Sequence, residues 1–81
     1  MHETTLIANM LSVVARVRDE QKKKVKRITV EIPEFGMMSQ EHFRYHFEEE
    51  IKGTEWEGLL LEIKKVPSGV DARLVGVTFS S

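Results

Sequence analysis

The sequence predicts an α+β fold with element order α-β-α-β-β, two helices packed on one face of a three-stranded mixed sheet. Three observations lead there. Apolar residues from Leu6 to Val17 recur at helical spacing. "VKRITVEIP" alternates apolar and polar residues, as a half-buried strand does. Two further apolar runs, "LLLEIKKV" and "ARLVGVTF", are separated by the turn residues "PSG". Two helices laid on the same face of one sheet bury every apolar stripe at once.

The first helix rests on Leu6, Met10, Val13/Val14 and Val17, a single stripe, with Thr4 or Thr5 placed to cap it and Glu3 where a negative charge is favoured. It should end near Lys23, in lysines that complement the helix dipole. In the strand that follows, Ile28, Val30 and Ile32 point one way and Arg27, Thr29 and Glu31 the other, and Pro33 closes it. "EFGMM" is a loop that turns at Gly36. Ser39 then caps a second helix, "QEHFRYHFEEEIK", which buries Phe43, Phe47 and Ile51 and stops at Gly53. "GTEWEG" turns the chain into the second strand, with Leu59, Leu61 and Ile63 on one face. The third strand sends Val75, Val77 and Phe79 inward. The short connection between these last two strands predicts that they pair as an antiparallel hairpin. A swapped dimer, in which residues 72–79 add to another copy's sheet, is the competing arrangement.

Size and composition narrow the function. A chain of 81 residues is one domain, spanning 1–81, with a small core. It has no cysteine, which excludes a disulfide framework, a thiolate zinc site, an iron–sulfur cluster and a cysteine nucleophile, and fits a reducing, cytoplasmic setting. Its net charge of -1 lacks the basic excess of a nucleic-acid binder. The one basic run, "QKKKVKR", reads as a helix end leading into a strand. No stretch is apolar enough to span a membrane, and no signal peptide is visible.

Catalytic signatures are missing. The glycines are scattered at turns and form no phosphate loop, and there is no nucleophile elbow. Glu48, Glu49 and Glu50 point in different directions on a helix and read as a solvated face. Trp56 reads as cover for the edge of the core, and Met37 and Met38 as adjustable packing or an exposed apolar loop. His42 and His46, spaced i, i+4, could grip a metal ion, but read first as two partly exposed histidines flanking the core phenylalanines.

The opening residues "MHE" read either as a solvated chain start or as a metal chelate. A bulky second residue implies that Met1 is retained. The amine of Met1, the amide nitrogen of His2 and its Nδ1 can then close fused five- and six-membered chelate rings. Planar nitrogen donors of this kind suit Ni(II) or Cu(II).

In context, "MHE", "VKRITVEIPEFG", "FRYHFE" and "GTEWEGLLLEIKKVP", in that order, resemble the HypA family of hydrogenase nickel-insertion accessory proteins. Phe47 and Glu48 match that family's Phe-x-Phe-Glu element, with Tyr45 in place of its first Phe. Gly53, Thr54, Glu57, Gly58, Leu61, Glu62 and Ile63 match its Gly-Thr-x-x-Glu-Gly and Leu-Glu-Ile block. The chain departs from the family after Val66–Pro67. There the family inserts a zinc domain with two Cys-x-x-Cys pairs, and this sequence has only a short connection before Leu74–Phe79.

The resemblance implies a non-enzymatic carrier of Ni(II) with Met1, His2 and Glu3 as the metal site and an open fourth position. It also implies two partners, a hydrogenase large-subunit precursor and a nickel-insertion GTPase. A homo-oligomer is compatible with it. The alternative is a metal-free adaptor that kept the fold and lost nickel delivery.

Overall fold

The computed structural model describes residues 3–35, 38–69 and 71–80, with the side chains of Glu3 and Thr4 outside that description. The order is α1 (Glu3–Gln21), β1 (Val25–Pro33), α2 (Gln40–Ile51), β2 (Leu60–Val66) and β3 (Arg73–Phe79). The α+β class, the element order and the three-stranded mixed sheet are as the sequence predicts.

Helix α1 begins earlier than its cap residues suggested, so Thr4 and Thr5 lie inside it. Its buried line is Ile7, Met10 and Val14, flanked by Leu6 and Leu11, and Val13 faces solvent. The helix ends where Lys22 adopts a left-handed φ of 55° and its amide donates to Arg18 O at 2.7 Å. Ser39 caps α2, its hydroxyl accepting from the His42 amide at 3.1 Å. Phe43, Phe47 and Ile51 are buried as expected, and Gly53 ends the turn with a φ of 72°.

The sheet order is β2-β1-β3. β1 pairs parallel with β2, from Arg27 opposite Leu60 to Pro33 opposite Val66. It pairs antiparallel with β3 on its other edge, with Ile28 opposite Val77 and Val30 opposite Leu74. The expected hairpin between the last two strands is therefore wrong: β1 stands between them. The cause is the β1-α2-β2 crossover. Helix α2 returns the chain to the end where β1 started, so β2 must run parallel to β1. β3 then comes back on the far edge of β1, completing the platform beneath α1. Crossing two inter-strand spacings covers about 9.6 Å, and residues 67–72 reach that easily, at roughly 3.3 Å each when extended. The connection that reads as a turn with slack is a strap across the end of β1.

Two bulges tune the faces. Lys26 is an extra residue on β1, and it brings Val25 into phase with buried Ile28, Val30 and Ile32. Val75 is an extra residue on β3, between Gly76 opposite Thr29 and Leu74 opposite Val30. It points outward, 41% exposed, while Leu74, Val77 and Phe79 pack against the core. The sequence reading placed Val75 inward because strict alternation runs through it. The bulge breaks that alternation.

Candidate metal centre

The topology gives the molecule two dissimilar ends. At one, β1 and β2 finish, the Glu34 amide donates to Val66 O at 2.8 Å, and α2 starts at Ser39. Helix α1 returns along the sheet and joins β1 through Lys22–Lys24, so its backbone begins, at Glu3, toward this same end. Among the described side chains of α1 the first fully buried one is Ile7, with Leu6 packed beside the core.

Of the predicted metal ligands, Met1 and His2 lie outside the described residues, as does the side chain of Glu3. Among the described residues, no group of three or more His, Asp or Glu side chains is disposed to hold a metal ion. His42 and His46 do stand together on one flank of α2, ring centroids 6.0 Å apart and rings nearly perpendicular at 89°. His42 is exposed and His46 half-buried, with Tyr45 edge-on to His46 at 5.4 Å. Glu48, Glu49 and Glu50 are all exposed, as a solvated helix face should be. Glu49 accepts from Lys52 Nζ at 2.7 Å, which raises the Lys52 pKa above its ordinary value.

Phe35, beyond the end of β1, is 86% exposed, whereas Met38, ahead of α2, is half-buried and packs against the core. "EFGMM" is legible as a loop, but nothing in its pattern distinguishes an aromatic side chain that stays out from one that folds in. Met37 lies outside the described residues.

The other end carries no predicted ligand but holds a clasp that sequence reading missed. Arg18 donates to Glu55 and Asp19, and its guanidinium lies 4.8 Å over the Trp56 ring. The hydrogen bond to Glu55 and then that to Asp19 raise the Arg18 pKa above its ordinary value. Trp56 packs on the core edge, in keeping with a covering role. Its partner, an arginine 38 positions earlier in an acidic-basic helix end, left no pattern to read. Across the open face of the sheet, Thr29 is buried and donates to Glu62 at 2.9 Å, between facing strands.

Residues 1–79 match a family described as hydrogenase/urease nickel incorporation, metallochaperone, hypA. The chain belongs to the HypA family. It is 30% identical to the hydrogenase maturation factor HypA of Dehalococcoides mccartyi strain 195, over all of this chain and 69% of that protein. It is 32% identical to the hydrogenase maturation factor HypA of Nostoc sp., over 94% of this chain and 66% of the relative. Its fold is similar to the solution structure of the Ni metallochaperone HypA from Helicobacter pylori. The TM-score is 0.79 at 15% identity, with 98% of this chain and 97% of that chain covered. No described helix is long and apolar enough to cross a membrane.

Proposed function

We propose that this chain is a metallochaperone that binds Ni(II) at its first residues and delivers it for [NiFe]-hydrogenase maturation. The observation that carries this is the family match, which starts at Met1 and includes His2 and Glu3. The Met1 amine, the His2 amide and Nδ1, and a donor of Glu3 supply the site. Nickel is cargo here, and no residue transforms it. A chelate built at a chain end can open at low cost, which suits delivery. The hydrogenase large-subunit precursor receives the metal, with the nickel-insertion GTPase assisting, in the cytoplasm. Residues 1–81 act as one nickel-binding domain.

The test is a Ni(II) titration of the tagless protein, following stoichiometry and d–d absorption. His2→Ala, or one residue added before Met1, abolishes tight binding. Tight stoichiometric binding retained in both variants overturns the assignment. A wild-type protein that takes up no nickel supports a metal-free adaptor instead.

A further inference from the structure

We propose that His42 and His46 form a second metal site, a two-histidine chelate on α2 for a divalent transition-metal ion, here Ni(II). It is separate from the chain-start chelate, and it rests on the functional reading above only in the choice of metal. Ring nitrogens are donors that Ni(II), Cu(II) and Zn(II) all accept.

The geometry is close to what chelation needs. Metal–nitrogen bonds of about 2.0–2.1 Å place two imidazole centroids roughly 4.5–5 Å apart around one ion. The rings stand at 6.0 Å, and His42 is exposed, so a small side-chain rotation closes the difference. The backbone is already set. Each histidine precedes a fully buried phenylalanine, Phe43 and Phe47, and these fix the rotation of α2 about its axis. The Ser39 cap fixes the turn that carries His42. Tyr45 meets the His46 ring at 77° and limits its swing on that side. Exposed Glu50, one turn further along α2, adds negative charge near a dication, while Glu49 is paired with Lys52.

Two nitrogens are the described residues' whole contribution, so water fills the remaining positions and exchange is fast. Placement gives such a weak site a use. α2 starts at the end of the sheet toward which the backbone of α1 begins. An ion held at the first turns of α2 waits at the end of the sheet toward which the described backbone of α1 begins, at Glu3.

The experiment titrates the tagless protein with nickel sulfate, combining calorimetry with amide NMR signals of residues 41–47. The expected result is a second, weaker binding step that perturbs α2 and persists in His2→Ala. His42→Ala, an exposed substitution that leaves the core intact, weakens that step beyond the roughly 10–100-fold cost of losing only an outer partner of a metal ligand. A variant combining His46→Ala with Glu48→His keeps the histidine count but not the spacing, and behaves the same way. A wild-type titration without the second step overturns the proposal, as does a second step that survives both variants or vanishes in His2→Ala. If instead His2→Ala leaves the tight step intact, the chain-start assignment fails while the α2 site stands.

Discussion

Gly69 sits where the strap crosses the end of β1, with a φ of 143° that side chains rarely adopt. A Cβ built there would lie 3.2 Å from Pro33 Cγ. Gly69→Ala should therefore cost about 1–3 kcal/mol, measured by urea denaturation; an unchanged midpoint would show that the strap can shift. Phe47 is 1% exposed, and Phe47→Ala should cost about 3–5 kcal/mol. These two residues differ in how well sequence reveals them. Phe47 is legible because its spacing from Phe43 and Ile51 is helical. Gly69 reads only as turn chemistry, since the contact that fixes it comes from Pro33, far away along the chain. The proposed ligands Met1 and His2 rest on chelate chemistry joined to the family resemblance, and both lie outside the described residues.

Among the elements, β3 makes the sharpest test. Val75 occupies the bulge and faces out, so Val75→Lys should change stability by no more than about 0.5 kcal/mol. Val77 pairs with Ile28 and packs on the core, so Val77→Lys should lower the denaturation midpoint steeply. Equal effects at the two positions would mean the strand keeps strict alternation. Ser39→Ala removes the acceptor of the His42 amide and should cost about 1 kcal/mol, again by urea denaturation. Every helix and strand was legible as to existence, because 3.6-residue and two-residue periods are local properties. The bulges were not, because an inserted residue shows only against the partner strand that skips it. Helix α1 was misjudged at its start because threonines can serve as caps or lie within a first turn, and the sequence alone weights both.

For the whole molecule, the decisive quantity is the distance the strap must cover. A hairpin would tolerate deletion of residues 69–71, leaving a tight turn. A strap across β1 is left with three residues, about 9.9 Å of extended chain for about 9.6 Å, so the deletion should strongly destabilise the fold or give a dimer that exchanges β3, seen by size-exclusion chromatography. A folded monomer of unchanged stability after that deletion would mean that β2 and β3 can pair directly. Lengthening is a different matter. Two glycines inserted after Ser68 should leave a monomer of nearly unchanged stability, because loop closure costs only about 0.6 kcal/mol per doubling of length. The cysteine-free sequence predicts further that chelator leaves thermal unfolding unchanged; a large fall in melting temperature would expose a structural metal. Sheet order was beyond the sequence because strands of equal polarity compete for the same edge. The crossover through α2 settles the direction of β2, while the choice of edge for β3 depends on which surface α1 needs beneath it.

The central position of β1 also orders events during synthesis. β1 and β2 leave the ribosome together with the helix that joins them, and they can zip up as a unit. The other edge of β1 stays bare until the last strand emerges. During that interval the nascent chain offers the strand that ends up most buried to any neighbour with a free edge of its own. Crowded polysomes, slow decoding of the final codons or truncation after Val66 would all extend the exposure, and a chaperone that shields strand edges would protect against it.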